Sequence, residues 1–154
     1  MRLDELHLKV LDEESVLDYA EELADISNAT LYQFDRARLL DALGHLQKPS
    51  AHVFRNADGQ AIAFKLGYQK EHGLFYSWLG GVLPAYRRKG LAHQLMQHQH
   101  EWASDEGYNA VETKARATNN PMIILNLKNG FQIRGVEFEG NNPAMVVMHK
   151  NLLK

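Results

Sequence analysis

The sequence predicts an α+β fold in one domain, residues 1–154, with a mixed, mostly antiparallel sheet of about six to seven strands flanked by about four helices. Three observations predict this class. Apolar residues alternate in some segments, as in half-buried strands, and recur every three or four positions in others, as in amphipathic helices. Glycine, proline and asparagine separate these segments, and no linker, repeat or low-complexity tract interrupts the chain.

The first elements are a strand and a helix. Leu6, Leu8 and Val10 alternate with their neighbours and predict a half-buried opening strand. Helical spacing predicts a first helix over about residues 15–26. The polar and aromatic segment 27–34 is expected to be a loop.

A second helix and a hairpin follow. Leu39, Leu40 and Leu43 mark one face of a short helix. Two strand-like runs between residues 52 and 68 flank the turn 56–59, where Asp-Gly supplies the positive φ angles of a tight hairpin. We expect these two strands to be antiparallel neighbours.

The middle of the chain predicts a strand and a long helix. The strand covers Leu74 to Val82, and its Gly80-Gly81 pair indicates a bulge or a close backbone approach. An amphipathic helix of about four turns begins at Leu91 and is closed by Gly107.

The last elements are a strand, a helix and two strands. Alternation from Val111 to Ala115 predicts a strand, and Asn120 is interpreted as the cap of the following helix, with Pro121 in its first turn. Strands over 131–138 and 144–150 complete the order βααβββαβαββ.

Composition excludes several classes of function. The 17 basic and 19 acidic residues give a formal charge of −2 without a long run of one sign, so we expect no nucleic-acid partner. The absence of cysteine excludes disulfides and thiolate metal ligands. No stretch approaches the ~20 apolar residues of a membrane helix, and the acidic residues near the start do not fit a signal peptide. We therefore expect a soluble cytoplasmic protein without a membrane partner.

Histidines on the long predicted helix do not form a metal site. His93, His98 and His100 include no pair four residues apart, which is the spacing that puts two imidazoles on one helical face. We therefore predict no metal and interpret these side chains as solvated helix surface.

The segment 82–92 predicts an anion site. It joins a strand end, a proline turn, the cations Arg87, Arg88 and Lys89, and the start of a helix. A helix N-terminus offers unpaired N–H groups and the positive end of its dipole. Gly90 places no Cβ in front of a bound phosphate. These features favour a diphosphate as the ligand.

Two blocks in this sequence resemble motifs of the GNAT superfamily of N-acetyltransferases. The coenzyme A loop pattern V-x-P-x-x-R-x-x-G-x-A is matched at Val82, Pro84, Arg87, Gly90 and Ala92. The family segment N-x-x-A-x-x-L-Y-x-K-x-G-F is similar to the later block, which fits at five positions: Asn119, Leu125, Lys128, Gly130 and Phe131.

This resemblance implies a GNAT-like domain that transfers acetyl from acetyl-CoA, a co-substrate, to an amine by direct attack on the thioester. The acceptor would be a small molecule, a peptide N-terminus or a protein lysine. The residues it implies for coenzyme A binding are Gly81, Val82, Leu83, Arg87, Arg88, Lys89, Gly90, Leu91, Ala92, Asn119 and Asn126.

One departure concerns catalysis, because Asn126 stands where many family members carry a tyrosine general acid. Asparagine cannot donate a proton at useful pH, so water or another tyrosine must substitute, and Tyr76 is a candidate. The N–H groups near Gly80 and Gly81 could stabilise the thioester carbonyl. Glu112 is interpreted as a solvated strand residue rather than as a general base. The alternative function is a coenzyme A-binding regulatory module with weak or no turnover.

Two further expectations concern partners. Tyr32 and Phe34, in the predicted loop between the first two helices, are candidates for lining an acceptor pocket. Met145 to His149 are expected among the edge strands at the C-terminal end, which leaves open a homodimer formed by strand pairing.

Overall fold

The computed structural model describes residues 5–153 and has the predicted order of elements. Short 3-10 helices cover Val16–Tyr19 and Pro84–Tyr86. The α-helices are α1 (Ala20–Thr30), α2 (Arg36–Leu43), α3 (Leu91–Asp105) and α4 (Asn120–Lys128). The strands are β1 (His7–Leu11), β2 (Ser50–Arg55), β3 (Ala61–Glu71), β4 (Leu74–Val82), β5 (Ala110–Arg116), β6 (Gln132–Glu137) and β7 (Met145–Asn151). The predicted α+β fold is confirmed.

One seven-stranded sheet has the order β1-β2-β3-β4-β5-β7-β6. Its neighbours are antiparallel except β4 and β5, which are parallel because α3 crosses from one to the other. Among the described residues β7 lies between β5 and β6. The expectation that Met145 to His149 form an edge is therefore wrong, and β6 is the edge strand at this end of the sheet.

The two halves of the sheet are covered differently. Strands β1–β4, the covered half, pack against α1 and α2 on one face through residues such as Phe64 and Leu39, and against α3 on the other through Ile62 and Leu95. Strands β5–β7, the open half, contribute to one further cluster, beneath α3 and α4, around Phe75, Val111 and Met148. The opposite face of the open half is called the open face below.

Burial corrects the two N-terminal predictions. Leu11 is buried whereas Val10 is 41% exposed, because α1 and α2 cover the face of β1 that carries Leu11. The first helical segment begins as a 3-10 helix, and α1 then continues to Thr30, into the predicted loop. Ser27 is fully buried there, so tertiary packing extends the helix.

Local chemistry at two turns also differs from prediction. The hairpin between β2 and β3 forms as expected, but in its turn only Gly59 has a positive φ, 80°. The cap of α4 is Asn119, not Asn120, since Asn119 Oδ1 accepts a hydrogen bond from Met122 N at 3.3 Å. Across residues 5–153, no helix is both long enough and apolar enough to cross a membrane.

Candidate active site

The loop between β4 and α3 folds back on the strand that precedes it. After β4 ends at Val82, the 3-10 helix reverses the chain, and Arg87 Nε donates to Val82 O at 2.9 Å. Arg88 and Gly90 then adopt left-handed conformations, with φ 63° and 79°. This path brings the chain to the first turn of α3, as the sequence predicted.

A row of backbone N–H groups lies free at the start of α3. The first helical bond runs from Gln94 N to Gly90 O at 3.0 Å. Within residues 5–153, none of the N–H groups from Arg88 to His93 donates a hydrogen bond to the protein. The positive end of the helix dipole coincides with this row, and Arg87 to Lys89 are exposed beside it. Such an arrangement suits a diphosphate.

Gly90 has two structural roles in this loop. Its φ of 79° would cost another residue roughly 1–2 kcal/mol. A Cβ at this position would meet nothing within 4 Å, so the space in front of the backbone is open. The glycine therefore shapes the turn and also leaves its N–H neighbours accessible.

The parallel strands β4 and β5 part at a fork below this loop. They pair from Leu74 and Ala110 as far as Ser77 and Thr113, where Thr113 Oγ1 donates to Ser77 O at 2.9 Å. Beyond the fork, β4 remains paired with β3 and β5 with β7. Both strands therefore continue unpaired with each other toward the end of the sheet from which the loop to α3 starts.

The bulge of β4 lies at Trp78 and not at the glycine pair. Gly80 and Gly81 keep regular register with β3, whereas the register shifts at Trp78. The second predicted alternative, a close approach to the backbone, accounts for the glycine at position 81, because a Cβ there would lie 2.4 Å from Thr30 Oγ1. The group that approaches Gly81 is thus the last residue of α1.

A buried polar chain beneath the fork was not identified from the sequence. Lys65 Nζ donates to Ser77 Oγ at 3.0 Å, and Ser77 Oγ lies 2.9 Å from Gln99 Oε1 of α3. Burial lowers the pKa of Lys65 to about 8, and no carboxylate of the described chain pairs with it. Alternation along β3 could have indicated the position of Lys65. Its neighbours Phe64 and Leu66 point into the core on one face of the sheet, so Lys65 points to the other face.

His100 is part of this interior, so its interpretation as solvated surface is wrong. It is 5% exposed, and Lys150 Nζ lies 3.0 Å from its Nδ1. Burial, followed by the charge of Lys150, lowers the pKa of His100 to about 3, and burial lowers that of His52 to about 4. Both imidazoles are therefore neutral at physiological pH. No group of three His, Asp or Glu side chains within residues 5–153 could hold a metal ion.

Tyr76, in β4, borders the open face and lies between two ion pairs. Glu112 lies beside Tyr76 in the strand register and pairs with Lys70, while Lys114 pairs with Glu137 at 2.7 Å. The Glu112 side chain is 13% exposed, so the interpretation as a solvated residue is wrong. Burial, with the nearby negative charges, raises the pKa of Tyr76 well above its usual range. Tyr76 is therefore a neutral phenol that can donate a proton.

Aromatic side chains continue from Tyr76 toward α1 and α2. The Tyr68 ring lies 5.4 Å from that of Tyr76 and 6.0 Å from that of Trp78. Trp78 packs against the core under α1. Phe34 is half-buried beside α2, whereas Tyr32 is 78% exposed.

The two asparagines of the second motif lie in different surroundings. Asn119 is exposed at the end of β5 that faces the loop, and its amide nitrogen has no partner within the described chain. Asn126 points into the core, 2% exposed, with its Nδ2 3.5 Å from Met148 Sδ. The remaining predicted cofactor residues, Gly81 to Leu83 and Arg87 to Ala92, are all brought together between the end of β4 and the start of α3.

A surface hollow of about 250 Å³ lies at the other end of α3, lined by Ser50, Trp102 and Glu106 among others. The helix of 15 residues places it roughly 22 Å from the N–H row, at 1.5 Å per residue. The hollow is therefore separate from the loop and the fork.

Comparison with known families assigns this chain to a class. The model of the Acetyltransferase (GNAT) family matches residues 13–131, a span that includes the loop, the fork and α4. The chain therefore belongs to the GNAT acetyltransferase family, and its enzyme class is that of acyltransferases. A search of curated proteins gave no significant match.

Solved structures share the fold at low sequence identity. The ribosomal-protein-S18-alanine N-acetyltransferase from Escherichia coli has a TM-score of 0.78 at 16% identity, covering 96% of this chain and 94% of that one. Ard1 from Thermoplasma volcanium has a TM-score of 0.78 at 18% identity, covering 97% and 99%. A NatC complex bound to Gag peptide and CoA has a TM-score of 0.77 at 15% identity, covering 97% and 99%.

Proposed function

We propose that this chain transfers an acetyl group from acetyl-CoA to an amine, and that the catalytic domain extends over residues 1–154. The observation that carries this proposal is the free N–H row from Arg88 to His93, placed at the mouth of the fork. A helix start with free N–H groups, next to two parallel strands whose pairing ends, suits a long cofactor with a diphosphate and an extended arm.

The co-substrate would be held by residues of this edge of the sheet. The N–H row and Arg87 to Lys89 would bind the diphosphate, while Gly81 to Leu83 and the Asn119 amide would line the arm. Acetyl-CoA supplies the acetyl thioester, which is the electrophile. Asn126 can offer only an amide N–H, and in this structure that group is directed at Met148.

The amine would enter from the open face, where Tyr76 and Glu112 lie beside the fork. Glu112 can accept the proton of an incoming ammonium, with Lys70 orienting its carboxylate. Tyr76 would donate a hydrogen bond to the departing thiolate and is the candidate for its protonation; because burial raises the pKa of Tyr76, the proton would move only as negative charge builds on the sulfur. These roles replace the tyrosine that is missing at position 126.

Release of free thiol from acetyl-CoA tests turnover, with peptides, polyamines and amino acids as acceptors. Peptides come first because the similar E. coli enzyme acts on an alanine of a ribosomal protein and the NatC complex holds a peptide. We expect thiol release with at least one acceptor and a loss of ~100-fold or more in Tyr76→Phe. Coenzyme A binding without release across the whole panel would contradict transfer and favour the regulatory module.

A further inference from the structure

Lys65 in β3 has a charge that the fold does not balance. The residue as a whole is half-buried, and its ammonium lies deep enough that burial lowers its pKa to about 8. None of the ion pairs within residues 5–153 includes Lys65. A lysine without a carboxylate in such a place stabilises a fold less than an apolar side chain of similar length. Departures of this kind are expected where a residue serves the function of the protein.

A glycine and a bulge make room for the side chain of Lys65. Gly80 registers with Lys65, and a Cβ at Gly80 would lie 3.1 Å from Lys65 Cγ. The φ angle of Gly80 is not positive, so its backbone conformation does not require glycine. The bulge at Trp78 turns both Trp78 and Leu79 toward α1, and Gly80 therefore shares a face of β4 with Ser77. The stem of Lys65 crosses β4 over Gly80 and reaches Ser77.

Ser77 joins three elements of the fold. Its Oγ accepts a hydrogen bond from Lys65 Nζ at 3.0 Å and donates one to Gln99 Oε1 at 2.9 Å. Its carbonyl oxygen accepts the bond from Thr113 Oγ1, in the last pair that β4 makes with β5. Through this one residue, which is 3% exposed, β3 and α3 are tied to the fork.

Gln99 connects Ser77 to the helix that carries the N–H row. It is fully buried in α3 and lies nine residues after Gly90, roughly 13 Å along the helix at 1.5 Å per residue. Across residues 5–153 its Nε2 has no partner, so its side chain is held through Oε1 and Ser77. This bond fixes the N–H row relative to the fork. A ligand that contacts both places must fit the spacing between them.

We propose that Lys65 is a positioning residue for acetyl-CoA. Acting through Ser77 and Gln99, it sets the spacing between the fork and the start of α3, so that the diphosphate and the arm are bound together. The inference rests on the proposed function, because it takes the loop and the fork as the cofactor site. In this role Lys65 raises the affinity for the cofactor without raising the stability of the fold.

Calorimetric titration of the full chain with coenzyme A and with ADP tests this role. ADP carries a diphosphate without the arm, so its binding does not depend on the spacing. In Lys65→Met we expect the dissociation constant for coenzyme A to rise at least about tenfold. The constant for ADP, measured in competition with coenzyme A, should not change. The thermal midpoint should equal or exceed that of the wild type, because methionine has a similar length and no charge.

Lys150→Met is the matched control. Lys150 is the other lysine that contacts a buried side chain of α3, His100, and it lies outside the chain of hydrogen bonds through Ser77. Both dissociation constants should remain at their wild-type values in this variant. An equal loss in the two lysine variants would overturn the inference.

The remaining outcomes separate this inference from the proposed function. An unchanged constant for coenzyme A in Lys65→Met would overturn the inference and leave the proposed function standing. Equal losses for coenzyme A and ADP, or a thermal midpoint well below that of the wild type, would show that Lys65 supports the fold and not the spacing. A wild type that does not bind coenzyme A would contradict the proposed function and the inference with it.

A double variant tests whether Lys65 acts through Ser77. Ser77→Ala removes the hydroxyl that joins Lys65 to Gln99 and should weaken coenzyme A binding by a similar factor. Lys65→Met/Ser77→Ala should then bind coenzyme A no more weakly than the weaker of the two single variants. Losses that multiply in the double variant would show that the two residues act independently, which would overturn the proposed path.

Discussion

The covered half of the sheet, β1–β4, and the open half, β5–β7, use their side chains differently. Phe64 in β3 is completely buried between helices and strands, whereas Phe138, just after β6, is 74% exposed. The ion pairs Lys70–Glu112 and Lys114–Glu137 lie partly exposed beside Tyr76, while Ser77 and Gln99 beneath α3 are buried. The comparison suggests that the covered half provides stability and the open half provides surfaces for binding, with the fork as the boundary between them.

The largest expected effect separates the halves by stability. Phe64→Ala removes a buried ring and should reduce the free energy of unfolding by ~3–5 kcal/mol, whereas Phe138→Ala should change it by less than ~0.5 kcal/mol. Urea denaturation at sub-micromolar protein, where association contributes little, measures both. Similar losses for the two variants would remove the distinction between the halves.

Acid should destabilise the fold through His52 in the covered half and His100, which lies between α3 and β7. Burial lowers their pKa values to about 4 and about 3, whereas an unfolded histidine titrates near ~6.5. Lowered values mean that the two groups stabilise the fold above pH ~6.5 and lose that contribution as the pH falls toward ~4. Between pH 7 and 5 the loss should be roughly 4 kcal/mol, measured by urea denaturation at each pH.

A comparison of variants assigns this loss to the buried pair. The double variant His52→Gln/His100→Gln should show a weaker dependence of the free energy of unfolding on pH, even if it is less stable overall. The exposed His7 serves as control, and His7→Gln should leave the dependence unchanged. An unchanged slope in the double variant would show that other groups cause it.

Substitutions at two glycines test how tightly the sheet is packed near the boundary between its two halves. Gly81→Ala forces a methyl group against Thr30 and should cost ~1–3 kcal/mol, whereas Gly135→Ala in β6 meets nothing within 4 Å and should cost less than ~0.5 kcal/mol. Thermal denaturation gives both values. Combining Gly81→Ala with Thr30→Gly should cost less than the sum of the single changes, and strict additivity would contradict the contact.

The smallest expected effect on stability concerns the open face. Glu112→Gln breaks the pair with Lys70 and should lower the free energy of unfolding by less than ~1 kcal/mol. If Glu112 accepts the proton of the incoming amine as proposed, the same change should reduce acetyl transfer at least ~10-fold. A large loss of stability with normal turnover would show that the pair supports the fold and not the reaction.

Sequence patterns predicted the elements better than their surroundings. The bounds of β4 and the start of α3 were correct because alternation, proline and glycine act locally. The burial of His100 was missed because it depends on Lys150, which is distant in sequence and joins the same interior only in the folded sheet. The bulge at Trp78 and the contact of Gly81 with Thr30 likewise depend on register and helix docking, which no local pattern encodes.

In the candidate site, too, some features could be predicted from local sequence and others depend on tertiary contacts. The loop and its glycine could be read from the motif, since backbone conformation there follows from residue type. The side chains of the open face could not, because Glu112 and Lys70 come together through pairing of β3, β4 and β5.

Calorimetric titration with coenzyme A tests the central claim, that the start of α3 binds its diphosphate. We compare the wild type with Gly90→Glu and with Gly107→Glu, a control at the other end of α3 with a similar φ of 94° and equally open space. We expect micromolar binding that is lost in Gly90→Glu and retained in Gly107→Glu. Unchanged binding in Gly90→Glu, or equal loss in both variants, would contradict it.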